Sequence, residues 1–179
     1  MTTIISGTNR PGSRTVNVAR YLHNYLQEQG AEVQLLDLAE LSGNYFGADM
    51  YSADQQHPEL RQIQERYING ADRFIFVSPE YNGSYPGILK LFIDGISIYR
   101  YAENFKGKWS ALVGVATGRA GNLRGIDQLS ASLLHMGGHI IPGVLPLSKA
   151  DQIMDNQGEI TDGGTRESLN KLAERTIQL

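Results

Sequence analysis

The chain has 179 residues and a formal charge of -3, enough for one domain with a substantial core and short of two comfortable ones. That charge supplies no basic footprint for nucleic acid and no acidic tail. Cys is absent, which excludes disulfides, thiolate metal sites and thiol catalysis and fits a reducing cytoplasm.

Met1–Ser6 has neither the basic start nor the apolar core of a signal peptide, and no apolar run reaches membrane-spanning length. Within it, Thr3–Ser6 reads as a strand running into the loop Gly7–Thr15. Val16–Gln29 fits a helix with Val18, Leu22, Tyr25 and Leu26 on one face and Gly30 closing it. Glu32–Asp37 is a second strand. Ala39–Pro58 reads as a loop, long enough for a covering or contact role, and Pro58 suits the first turn of a helix reaching about Asn69. Arg73–Ser78 is short, apolar and β-prone, a third strand. It runs into Pro79-Glu80-Tyr81-Asn82-Gly83-Ser84-Tyr85-Pro86-Gly87, and a helix follows from about Gly87 to Tyr101. Lys108–Thr117 is a fourth strand ending in Gly118-Arg119-Ala120-Gly121, before a helix from about Asn122 to Met136. His139–Ile141 is a short fifth strand, Val144–Gly164 is irregular, and Arg166–Ile177 is a last helix.

Five strands alternating with helices predict an α/β fold: a parallel sheet with right-handed crossovers, helices on both faces, and the order 2-1-3-4-5. Ligands bind such sheets at the carboxyl ends of the strands, where the order switches between the first and third. Three loops meet there. The first carries the hydroxyls of Thr8, Ser13 and Thr15 and the guanidiniums of Arg10 and Arg14 at a helix start, a set suited to phosphate. It is neither a Walker loop nor a dinucleotide turn, and simple helix capping by Ser13 or Thr15 competes with the phosphate reading. The second offers close backbone at Gly83 and Gly87 and flat faces at Tyr81 and Tyr85, which suits a planar, hydrogen-bonding ligand. The third holds Arg119, a cation for a ring edge or a phosphate.

Other chemistries fit less well. Gly137 and Gly138 break the helical spacing that would bring His135 and His139 to one metal. Ser84 lacks the Gly-x-Ser-x-Gly elbow of a hydrolase, and Asp54 and His57, its conceivable partners, sit in the long loop. A phospho-receiver needs acidic residues where this chain has Ser6-Gly7 and Ser78-Pro79.

The loops together resemble the NADPH-dependent FMN reductase family, flavodoxin-like proteins that include quinone, azo-dye and chromate reductases, and the likeness runs along nearly the whole chain. Gly7–Ser13 is similar to the family's Gly-Ser/Thr-x-Arg-x-x-Ser phosphate loop, and Asn17 lies one residue later than the Asn of many members. Pro79–Ser84 is similar to its most specific motif, Pro-Glu-Tyr-Asn-Gly-Ser. Met154–Gly158 and the residues through Arg166 look like its hairpin-like tail and final helix. Tyr85 is an extra residue, and Gly95 stands where a bulky residue often follows Asp94; both departures are expected at the flavin face.

The resemblance implies a flavodoxin-like three-layer sandwich, a single domain over 1–179, with FMN as cofactor and NADPH or NADH as co-substrate. It implies ping-pong hydride transfer to a quinone, azo compound, metal oxyanion or free flavin, with no catalytic acid or base among the side chains. Thr8, Arg10, Ser13, Thr15 and the Val16 amide would hold the phosphate, and Asn17 would support that turn. Pro79, Glu80, Tyr81, Asn82 and Gly83 would line the isoalloxazine, with Gly118 and Arg119 approaching from the third loop. A cytoplasmic homodimer or tetramer is implied, with Tyr99, Tyr101 and Tyr45-Phe46 as interface candidates against the competing reading of buried core. The alternative is a flavodoxin-like electron carrier, whose Thr/Ser-x-Thr-Gly-x-Thr loop and strong acidity are missing here.

Overall fold

In β1 (Thr2–Ser6), β3 (Arg73–Pro79) and β4 (Trp109–Val115), successive apolar residues are buried alternately on opposite faces of one sheet. Ile5, Phe74, Phe76 and Leu112 belong to one core cluster, and Ile4, Ile75, Val77, Ala111 and Val113 to a second. A sheet apolar on both sides needs helices above and below it. Helices α1 (Arg14–Glu28) and α6 (Gly163–Ile177) cover the second cluster, and α2 (Pro58–Ile63), α3 (Gly87–Ile96) and α5 (Leu123–His135) cover the first. The structure is a computed structural model that describes residues 1–52, 54 and 56–179.

With β2 (Val33–Asp37) at one edge and β5 (His139–Ile140) at the other, the sheet runs β2-β1-β3-β4-β5, all parallel, in the expected flavodoxin-like order. It has one strand more than expected. β5 pairs with the start of β4 at Trp109 and Ser110, whereas β6 (Leu145–Leu147) pairs with its end, from Val113 to Val115. The fifth strand position is thus filled twice, interrupted at Pro142-Gly143, where proline supplies no ladder donor. Part of the stretch expected to be irregular is therefore sheet, and Met154 and Ile160 pair across a small hairpin in the remainder.

Two further expectations change. The helix after the Pro79–Gly87 loop stops at Ile96 instead of Tyr101, and a short helix, α4 (Tyr101–Asn104), follows Arg100 in a left-handed conformation (φ 48°). The carbonyls freed there are met from outside: Gln64 Nε2 donates to Ile96 O at 2.9 Å and Tyr99 O at 2.5 Å. Gln64 opens a wider π-helical continuation of α2, Gln64–Asn69. The stretch 39–58, of which Ala53 and Gln55 lie outside the described residues, contains short 3₁₀ turns at Gly43–Phe46 and Ala48–Tyr51. Tyr45 is core, with its hydroxyl donating to Glu59 Oε2 at 2.5 Å, and Phe46 packs against the same cluster. Among the described residues no helix is long and apolar enough to cross a membrane.

Candidate cofactor cleft

The loop after β1 is built around two side chains. Ser13 is the N-cap of α1, extended at φ -69°, and its Oγ accepts from Val16 N at 3.2 Å. Of the two capping candidates, Ser13 therefore takes the role and engages the Val16 amide. Thr8 is fully buried; its Oγ1 accepts from Arg10 N at 3.3 Å and lies 2.7 Å from the Tyr81 hydroxyl.

The second loop, after β3, is a tight hairpin. Tyr81 N donates to Ser84 O at 2.9 Å and Ser84 N to Tyr81 O at 3.1 Å, with Asn82 (φ 54°) and Gly83 (φ 78°) between them. Two consecutive left-handed residues make the type I′ turn that an Asn-Gly pair favours. Glu80 Oε1 accepts the Gly83 amide at 2.9 Å and fixes the tip.

The third loop is braced against this one by Asn122. Its Nδ2 donates to Ser78 O at 3.0 Å and Pro79 O at 2.8 Å, from a buried residue with φ 68°. Next to it, Gly114 packs so tightly that a side-chain carbon there would lie 2.1 Å from Gly121 O.

These loops enclose an open cleft of about 700 Å³ at the carboxyl edge of the sheet. Arg10, Ser13, Thr15 and Asn17 form one side, Pro79, Glu80 and Tyr81 a second, and Ala116 to Gly118 a third. Five expected site residues stand off the lining. Thr8 reaches the cleft only through the Tyr81 hydroxyl, Val16 is buried behind the cap, Asn82 and Gly83 form the turn tip, and Arg119 is exposed on the outer part of its loop.

Tyr85 and Gly95 are not beside the cleft. Tyr85 is buried in the cluster under α3 and α5, its hydroxyl 3.2 Å from Ser132 Oγ. A side-chain carbon at Gly95 would lie 3.2 Å from Leu60 Cδ2 and 3.5 Å from the Phe46 ring. Ser84 donates its hydroxyl to Gln128 Oε1, an amide oxygen and not a base.

Two features escaped the site residues expected from sequence. Asn122 stands just before a helix, where it reads as an ordinary cap, and only its left-handed backbone turns its side chain back to the second loop. Met154 to Gly158 supply a fourth wall; the sequence shows a turn-prone Asp-Asn-Gln-Gly and a likeness to the family's hairpin-like tail, but no place in the site.

The donor set fits a flavin mononucleotide. Neither the Arg10 nor the Arg14 guanidinium has an ion-pair or hydrogen-bond partner among the described residues, yet both line the cleft beside the positive N-terminal end of α1. Such a cluster suits a phosphate dianion. The adjoining wall of Pro79 and Tyr81 suits a flat ring.

Residues 2–152 match the family model described as NADPH-dependent FMN reductase. An NAD(P)H-dependent FMN reductase of Pseudomonas aeruginosa is 33% identical over 174 residues, covering 93% of this chain and 88% of that protein. An FMN-dependent NADPH-azoreductase of Staphylococcus saprophyticus is 31% identical over 116 residues, 64% of this chain and 60% of that one. Among solved structures, the flavoenzyme NAD(P)H:(acceptor) oxidoreductase FerB of Paracoccus denitrificans has a TM-score of 0.79 at 24% identity, covering 99% of this chain and 94% of its own, a likeness of fold.

Proposed function

The chain belongs to the NADPH-dependent FMN reductase family, a family of oxidoreductases that use FMN and NAD(P)H, and from that premise we propose that residues 1–179 act as a single FMN-binding domain passing reducing equivalents to a small acceptor. The observation that carries the reading is the pair of unpartnered guanidiniums, Arg10 and Arg14, in the same cleft as the Pro79–Tyr81 wall. Bound there, FMN would supply hydride chemistry, taking two electrons from NADPH or NADH and giving them to the acceptor after the nicotinamide leaves.

The chain's own residues bind and orient. Arg10, Arg14, Ser13 and Thr15 would hold the phosphate, with Asn17 beside them. Tyr81 and Pro79 would flank the ring. In the hairpin, the Tyr81 and Gly83 amides are taken by Ser84 O and Glu80 Oε1, so the Asn82 amide at the turn tip, outside the cleft lining, would reach only a ring edge that extends past Tyr81. Gly118 and Arg119 would complete the far side. The cleft is open, so a quinone, an azo compound, a metal oxyanion or free flavin would reach the ring. We place the protein in the cytoplasm as a homodimer or tetramer, with the exposed Tyr101 at the contact between copies.

The deciding experiment is an absorbance spectrum after FMN addition and desalting, followed by anaerobic NADPH. Retained flavin that bleaches supports the oxidoreductase. Retained flavin that stays oxidised under both NADPH and NADH replaces it with a carrier served by a separate reductase. A chain that takes up no FMN even on titration defeats the reading.

A further inference from the structure

The fourth wall of the cleft lies beyond the part of the chain that matches the family model, which ends at residue 152. It is a small hairpin closed by the antiparallel pairing of Met154 and Ile160, both buried in the core under α1 and α6. Asp155 N donates to Glu159 O at 3.0 Å, and Asp155 Oδ1 accepts the amides of Gln157 and Glu159, each at 2.9 Å. The turn is therefore held by its own hydrogen bonds and anchored at its base.

Its seat is Gly158. The residue is left-handed (φ 85°), and a side-chain carbon there would lie 2.0 Å from Asn17 Nδ2. The bare Gly158 lets the hairpin meet the Asn17 amide on the helix that starts the phosphate loop; a side chain there would force that amide aside and strain the left-handed backbone. Asn156 and Gln157 are exposed, line the cleft, and have side-chain amides with no partner among the described residues.

The chemistry these amides add is specific. Arg10 and Arg14 offer donors only, which serves phosphate oxygens. The chain that links phosphate to ring in a flavin nucleotide is a polyol, and each hydroxyl both donates and accepts. A carboxamide does both as well.

We propose that the Met154–Ile160 hairpin is a retaining wall of the cleft that grips the polyol chain of a bound flavin through the Asn156 and Gln157 side chains, with Gly158 seating it against Asn17. The proposal rests on the FMN reading above, and its test separates the two.

The test follows release of flavin by its fluorescence after dilution of the loaded full-length protein, in wild type, in the double variant N156A/Q157A and in G158A. The double variant alters only exposed side chains and should keep the wild-type thermal midpoint. It should release both FMN and riboflavin faster, roughly five- to tenfold, the scale of one or two lost hydrogen bonds. Lumiflavin, which has the ring and no chain, should bind both proteins alike. G158A, in which the added methyl displaces the Asn17 amide and strains the left-handed turn, should also release FMN faster than the wild type.

Release of FMN from N156A/Q157A at the wild-type rate overturns the proposal, whether or not G158A folds. An equal loss of lumiflavin binding in the double variant overturns it too, because the effect would then lie at the ring. Wild-type protein that takes up no flavin defeats the FMN reading itself, a result seen before any variant is made.

Discussion

The Thr8 hydroxyl and the Tyr81 hydroxyl stand 2.7 Å apart, one in the loop after β1 and the other in the loop after β3. That hydrogen bond is a direct link between the phosphate side of the cleft and the wall proposed for the ring. Thr8 is fully buried, and its oxygen also takes the Arg10 amide, so its position is set from two directions. Tyr81→Phe keeps the aromatic face and removes the link. FMN affinity should fall by roughly two- to tenfold, the net value of one hydrogen bond, as read by fluorescence titration. Thr8→Val also frees the Arg10 amide and should lose at least as much, and the double variant should lose less than the sum of the two.

Arg10→Ala removes a guanidinium that no carboxylate in the described chain neutralises. FMN binding should weaken by about 1–3 kcal/mol, the range for hydrogen bonds to charged groups. Riboflavin, which has no phosphate, should bind the variant as it binds the wild type. Isothermal titration with both flavins checks the pair, and an equal loss for both would move Arg10 away from the phosphate.

Asn122 contributes a side chain and a backbone conformation, and two substitutions separate them. Asn122→Gly keeps the left-handed backbone and loses the bonds to Ser78 O and Pro79 O. It should destabilise the fold by about 1–3 kcal/mol, since buried carbonyls lose their donor. Asn122→Ala loses the same bonds and adds the strain of a side chain at φ 68°, about 1 kcal/mol more. Urea unfolding of the three proteins measures both steps.

The order of the sheet was legible because each strand carries its own signal: short apolar runs, both faces buried, with turn-formers at their carboxyl ends. The convergence of the three loops followed from that order. What stayed hidden depends on contacts between residues far apart in sequence. The α3 pattern runs past Ile96 in sequence, yet Gln64, 32 residues away, takes the Ile96 carbonyl. Leu145–Leu147 is too short to read as a strand and gains its ladder only from Val113–Val115. Tyr85 and Gly95 looked like flavin-face residues by their place beside a motif, but Tyr85, just before α3, points to Ser132, and Gly95, within α3, faces Leu60 and Phe46. The hairpin after Met154 was visible as a turn, while its place beside Asn17 depends on the packing of the whole C-terminal segment.

Gly114 and Gly95 are both buried glycines, and the structure assigns them opposite tolerance. A side-chain carbon at Gly114 would lie 2.1 Å from Gly121 O and 2.7 Å from Ile126 Cδ1. The first is backbone and cannot swing away. Gly114→Ala should therefore destabilise the protein by about 1–3 kcal/mol and push the third loop outward, with a loss of FMN affinity. At Gly95 the nearest atom, 3.2 Å away, is the end of the Leu60 side chain, which can shift. Alanine also has the higher helix propensity, worth less than about 1 kcal/mol at this penultimate position of α3, which partly offsets the crowding. Gly95→Ala should unfold within about 1 kcal/mol of the wild type and bind FMN unchanged. Thermal unfolding and flavin titration of the two variants side by side check this. A Gly95→Ala protein of normal stability with weakened FMN binding would return that face of α3 to the flavin site.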